Sequence, residues 1–345
     1  MDGHQARAKG SPSKKLKKAK LDCTEEEIDF NWTQFKRQLE DIFKNENQPK
    51  YKNHAPMDLI DIYLKPKIDN IKQILLEEDQ QDGSIGECME YVQRKNVFME
   101  MVAMAQTDMP HGMFTICLDF MIVMAKQIRN MDIIYNDKVH KSLLQMSKCI
   151  HANIKNDIIE INDMDETSMY VRTILDFMNM ITDLVLNRNT QISKFFIEEQ
   201  SMLQKTHGTQ TYIPIIIILE FLKKETLTQG PVYQHMLRQV LIDQLKIQNP
   251  KVRRFIIFES DFALNITSKL SMYLQIIPEE VQLIRNNYEQ FPDDDTMIYQ
   301  SGLHLKRQMG LNYSKNILDS FRAFDNYIKI ISRLCEISEC SQVEY

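Results

Sequence analysis

The amino-acid sequence predicts an all-α protein, an α-solenoid of degenerate HEAT- or armadillo-like helical pairs. Three observations carry that expectation. Glycine and proline are scarce, 9 and 10 residues in 345, under half the ordinary usage of about 12 %. Sandwiches, barrels and dinucleotide-binding folds consume both residues in turns and phosphate loops. Apolar residues recur at three- and four-residue spacing, and no stretch sustains two-residue alternation. Short turn signals cut the chain into segments of about 12–22 residues, ordinary for helices, and many such helices joined by short turns stack as antiparallel pairs. No internal repeat is clean enough for tetratricopeptide or ankyrin units.

In chain order, residues 1–24 read as a disordered basic tail, 25–337 as the helical solenoid and 338–345 as a flexible C-terminus. The first twenty residues hold seven basic side chains against Asp2, a net of +6, and the remainder holds 35 basic and 47 acidic residues, a net of −12. The cluster Lys14, Lys15, Lys17, Lys18 and Lys20 has no apolar periodicity to fold on. It suits a nuclear import signal, an RNA-binding arm, a contact for anionic lipid, or a solubilising tail without a single partner. An acidic body behind a basic arm argues against direct DNA binding by the body. The first thirty residues lack the apolar stretch of a secretory signal.

The breaks fall at Asp82–Gly86, Met109–Gly112, His207–Thr209, Gln229–Pro231, Asn249–Pro250 and Phe291–Asp295, all turn chemistry. Between them, Val171, Ile174, Leu175, Met178, Ile181 and Val185 form a one-sided stripe over 165–187, with Asp165 as N-cap. Tyr212–Leu222 is an apolar run of 11 residues containing Glu220, short of the roughly 20 a membrane span needs, so a buried helix is expected. Met99, Met101, Met104, Met121 and Met124 lie at core spacing, though methionine also suits adaptable surfaces. A last helix is expected behind Ser314, with Ile317, Phe321, Phe324, Ile328 and Ile331 on its buried face.

Motifs of catalysis and cofactor binding are missing: no Walker loop, no Gly-x-Gly-x-x-Gly, no Gly-x-Ser-x-Gly and no His-Glu-x-x-His. Neither catalytic nor metal residues are expected, and no cofactor. Cys23, Cys88, Cys117, Cys149, Cys335 and Cys340 form no Cys-x-x-Cys pair and read as free thiols filling small buried spaces in a reducing compartment. His111, His140, His151, His207, His235 and His304 are too dispersed for one metal site. Glu160–Glu166 lacks the glycine and closing glutamate of a calcium loop, and Asp293–Asp295 reads as a helix start.

From Gly86 onward the chain resembles a known family. Gly86-Glu-Cys88-Met-Glu90-Tyr91-Val92, then Val97, then Ala105-Gln-Thr-Asp108-Met-Pro110-His-Gly112-Met113 is similar to the N-terminal region of the FTS- and Hook-interacting protein (FHIP) family. That family carries a Cys-Leu-Glu-Tyr helix followed by an Asp-x-Pro-x-Gly-Met turn. Ser193-Lys-Phe195-Phe196-Ile-Glu198 resembles the family's helix end around Phe-Phe-(Leu/Ile)-Glu. Phe262–Leu270, continuing through Leu274 to Pro278, resembles its helix leading into a Leu-Tyr-x-x-Leu-Pro step. Ile317–Tyr327, with Phe324-Asp325 inside, resembles a helix with a Trp-Phe-Asp core. Met89 replaces the usual Leu, no Trp precedes Phe324, and the basic tail has no family counterpart. The chain ends soon after Tyr327 where family members continue, so a divergent, shortened member is expected.

The resemblance implies a non-enzymatic adaptor whose partners are a Hook-like coiled coil, an FTS-like protein and a Rab GTPase. Such an adaptor couples dynein to Rab-marked vesicles such as early endosomes, in the cytoplasm and with only indirect membrane association. The matched positions read as packing and turn positions: Gly112 supplies a backbone shape that alanine would strain, and Pro110 suits a first helical turn. The basic tail supports a different reading, a nuclear or RNA-associated helical scaffold.

Overall fold

The computed structural model describes residues 24–45, 56–82, 85–156, 164–199, 210–224, 231–289, 325, 328–333, 335 and 336. These residues are almost all helical. The principal helices are α1 (Glu25–Asn45), α2 (Lys65–Asp82), α3 (Glu87–Arg94), α4 (Val97–Thr107) and α5 (Met113–Gln127). They continue with α6 (Asp137–Lys155), α7 (Met164–Asp183), α8 (Ile213–Lys223), α9 (Pro231–Gln244) and α10 (Phe262–Glu289). Most fall within the expected lengths; α3 at 8 residues and α10 at 28 lie outside them.

Contacts sort the helices into two rows. In one, α2 packs on α5, α5 on α7 and α7 on α9; in the other, α4 packs on α6 and α6 on α8. Helices within a row run the same way. Lys72 of α2 pairs with Asp119 of α5, and about two turns later Asp79 accepts the backbone N–H groups of Arg129 and Asn130 just past the end of α5. Tyr170 of α7 reaches Asp108 ahead of α5, while Arg188, beyond α7, donates to the carbonyls of Lys126 and Ile128 at the far end of α5. Helix α1 packs on α2 and α3, with Glu25 paired to Arg94 at the end of α3 and Lys36 reaching Glu100 of α4. Successive helices therefore alternate between rows, the contact order that stacked helical hairpins produce.

The α7 stripe is buried as its spacing requires: Val171, Ile174, Leu175, Met178, Ile181 and Val185 are all inaccessible to solvent. The helix begins at Met164, so Asp165 stands inside its first turn rather than capping it. The run 213–222 is a buried helix, with Glu220 half-buried and paired with Lys223 at 3.0 Å; Tyr212 belongs to the strand before it. Met101, Met121 and Met124 are core residues, and Met99 and Met104 pack at its edge. Asn249 caps Pro250–Arg254 by accepting the N–H of Lys251 at 2.9 Å. Cys88, Cys117 and Cys149 are buried free thiols, but Cys335 is exposed.

Four further features depart from expectation. A two-stranded antiparallel sheet joins Ile197–Glu199 to Gln210–Tyr212, with Ile197 opposite Tyr212; three residues per strand are too few to show alternation. Wide π-type turns interrupt the helices at Ile60–Leu64, Leu184–Arg188 and Phe255–Glu259. Helix α10 runs through Pro278 instead of ending before it. Among the described residues near the C-terminus, Ile330 is fully buried, Ile331 is half-buried and Ile328 faces solvent at 45 % exposure, so the stripe expected from Ile328 is displaced. Phe324, Ser314, Asp293–Asp295, most of Glu160–Glu166 and the tail lysines lie outside the described residues.

Candidate functional site: the Pro-His-Gly turn and its groove

The turn between α4 and α5 is built around one carboxylate. Asp108 stands in the left-handed region, φ 45°, where it ends α4, and its Oδ1 accepts the N–H groups of Gly112 at 3.0 Å and Phe114 at 2.7 Å. It thereby satisfies two of the orphan donors at the start of α5 and opposes the positive end of that helix. Its Oδ2 accepts the hydroxyl of Tyr170 from α7 and lies 2.9 Å from His111 Nδ1. The Tyr170 ring stacks between His111 and Phe114, with centroids 5.7 and 5.4 Å away.

Gly112 has φ 103°, a left-handed conformation that side chains resist, so the glycine is required as its sequence position suggested. Pro110 is not in a first helical turn. It follows a cis bond from Met109 and precedes α5 by three residues. Met113 is fully buried.

The other motif residues lie elsewhere. Cys88 and Tyr91 are buried on α3, whereas Glu90 is exposed. The Tyr91 hydroxyl donates to Asp29 of α1; burial, then that carboxylate, pushes its pKa well above the usual phenol value. Phe196 is buried. Phe195 is half-buried, and its ring stacks on His140 with centroids 4.0 Å apart. Asp325 is exposed and pairs with Lys329 at 2.6 Å. Among the described residues the motifs thus lie apart rather than in one site, and of them Gly112 lines a concave surface.

That surface is a groove of about 460 Å³ running from Gly112 along α5, walled by α2 and by α7. Gly112, just before α5, and Thr115, Ile116, Asp119, Ile122 and Lys126 of α5 are spaced as one helical face. Asp69 and Asp119 share a single cation, Lys72, at 2.6 and 2.9 Å. Burial opposes the Lys72 charge, but the hydrogen bonds to Asp119 and Asp69 outweigh it and hold the ammonium above its ordinary pKa. The α7 wall adds Met169, Thr173 and Asp176.

The groove lining mixes isoleucine and methionine side chains with lysines and aspartates. Its carboxylates pair with lysine or stand apart, and among the described residues no group of three or more His, Cys, Asp or Glu is placed to hold a metal ion. The thiols nearest Asp108 are protonated at neutral pH: burial raises Cys117 strongly and Cys149 to about 11, each helped by the Asp108 charge. A thiol so raised is a poor nucleophile. No described helix is long and apolar enough to cross a membrane.

The chain matches no known protein-family model, no curated protein and no solved structure.

Sequence reasoning missed Tyr170, Lys72, Asp119 and Asp176, together with two caps. Glu78 accepts the N–H groups of Cys88 at 2.8 Å and Met89 at 2.9 Å, and Asp79 those of Arg129 and Asn130. One signal was present. Thr115, Asp119 and Lys126 interrupt the apolar helix α5 at positions that share a face.

Proposed function

We propose that the chain is a non-enzymatic adaptor, an α-solenoid scaffold similar to FHIP proteins. On this reading it binds a Hook-like coiled coil, an FTS-like protein and a Rab GTPase, and links dynein transport to Rab-marked vesicles such as early endosomes from the cytoplasm. The observation that carries the reading is the groove along α5, bounded by parallel neighbours and lined by both apolar and charged side chains. Such surfaces accept a partner helix or a folded domain through many weak contacts. The resemblance across Gly86–Met113 supplies the partner classes.

The lysine cluster at 14–20 favours a second reading, a nuclear or RNA-associated scaffold. Affinity purification of the full chain from its native cells, followed by mass spectrometry, separates the two. Enrichment of a Hook-like coiled coil, an FTS-like protein or Rab GTPases supports the adaptor. Recovery of importins and RNA-binding proteins in their place overturns it.

A further inference from the structure

The middle of the α5 groove carries more negative charge than its own lysines neutralise. Asp69, Asp119 and Asp176, from three neighbouring helices of one row, line it together, and Lys72 serves the first two. Three carboxylates around one ammonium leave two negative charges. Among the described residues Asp176 pairs with no cation. Lys65 is engaged by Asp61 at 3.4 Å, and Lys126 stands at the far end of the α5 face. Between the charges, Ile68, Ile116, Ile122 and Met169 offer apolar surface, and the Thr115 hydroxyl oxygen is buried without a described partner. An occupant matching this surface presents lysines around a single apolar side chain.

The chain itself carries such a segment: Lys14-Lys15-Leu16-Lys17-Lys18-Ala19-Lys20. We propose that this part of the N-terminal tail docks in the groove between α2, α5 and α7, with Leu16 against the isoleucines and flanking lysines beside Asp119 and Asp176. The attachment point suits this. The tail joins α1 at Glu25, and α1 packs directly on α2, one wall of the groove, a separation of about 10 Å between axes. Lys14 precedes Glu25 by 11 residues, a tether of about 36 Å when extended. The groove face from Gly112 to Lys126 is about 21 Å long at helical rise. A tether of this length holds the lysines at roughly millimolar effective concentration, so a contact too weak to matter between free molecules is well populated within one. Docked there, the tail occupies the surface that any partner of the groove must use and acts as a built-in competitor. This inference stands on the groove's chemistry and does not depend on which partner the protein has.

Zero-length carbodiimide cross-linking of the full chain, read by peptide mass spectrometry, tests it, because the reagent joins lysine to carboxylate only in direct contact. The Lys72–Asp119 and Lys72–Asp69 pairs serve as internal standards. The expected result is amide bonds from Lys14–Lys20 to Asp119 or Asp176, with a yield independent of protein concentration and reduced at high salt. Standards present with tail lysines unlinked, tail lysines linked only to carboxylates outside the groove, or a yield rising with concentration as between two copies would each overturn the proposal. Limited trypsin digestion gives a second readout. In Asp176→Asn, with melting unchanged, cleavage at Lys14–Lys20 should rise roughly tenfold, the change from about nine-tenths occupancy to a free tail. Equal cleavage of the variant and the parent chain refutes the docking.

Discussion

Helix α5 buries Met113, Phe114, Cys117, Leu118, Phe120, Met121, Ile122, Met124 and Ala125 within 15 residues. Helix α10 is nearly twice as long, yet among its described side chains only Phe262 and Ile266 are buried, and Leu264 is 70 % exposed. The two helices are not distinguished by lack of apolar residues, since α10 also carries Leu270, Met272, Tyr273, Leu274, Ile276, Ile277 and Val281. They differ in neighbours. Helix α5 has α2, α4 and α7 around it, whereas α10 is met by α8 and by the turn at 255–259. Burial follows position in the stack, and local stability should follow burial.

Hydrogen exchange probes that contrast with the largest expected effect. Amides of α5 should open only with global unfolding and exchange at least about a thousandfold more slowly than those of α10 beyond Ile266. Equal protection along both helices would break the comparison. Truncation comes next. Phe114→Ala should cost about 3–5 kcal/mol, while Leu264→Ala should stay within about 0.5 kcal/mol, both measured by urea denaturation. A large loss at Leu264 would mean that α10 is covered in solution.

Smaller effects sharpen the account of how α5 is held. Asp108→Ala removes two helix-capping contacts and the Tyr170 bond and should cost about 2–3 kcal/mol. Gly112→Val forces a branched side chain into left-handed backbone at about 1–2 kcal/mol. Both losses should appear as lowered melting before any partner binding changes, and unchanged melting with lost binding would reassign the turn to recognition. The smallest effect is pH-dependent. Burial lowers the His140 pKa below its 6.5 reference, so the unfolded chain takes up the proton more readily than the folded one. The stability this contributes is complete above about pH 6.5 and is lost as pH falls through the depressed folded value. Replacing the ring by His140→Gln should flatten the melting temperature between pH 7 and 5, with less than about 1 kcal/mol at stake.

Gly86 shows why some of the architecture escapes inspection of the sequence. The residue reads as an ordinary turn glycine before α3, but a Cβ there would meet the Glu78 carboxylate at 2.2 Å. That carboxylate is the cap of α3. The adjacent Asp79, only 5 % exposed, caps backbone 50 residues downstream. In the sequence Glu77-Glu78-Asp79 is an acidic run on a solvated helix. In the fold two of its members are aimed in different directions by the helix that carries them. The groove residues follow the same logic, because Asp69, Asp119 and Asp176 come together only when three helices stack in one row.

What the residues determined unaided is whatever depends on local periodicity and backbone preference: the helical class, the buried stripe of α7, a buried helix within 212–222 and the break at 109–112. What the tertiary structure decided is which helices became central, which apolar faces stayed exposed, and which of many similar carboxylates cap helices or line the groove. Helical spacing is a property of a few consecutive residues and can be read from them. Burial and charge pairing are properties of neighbours some 50 to 60 positions away, such as Asp79 with Arg129 or Asp108 with Tyr170, and arise only when those distant segments are packed together.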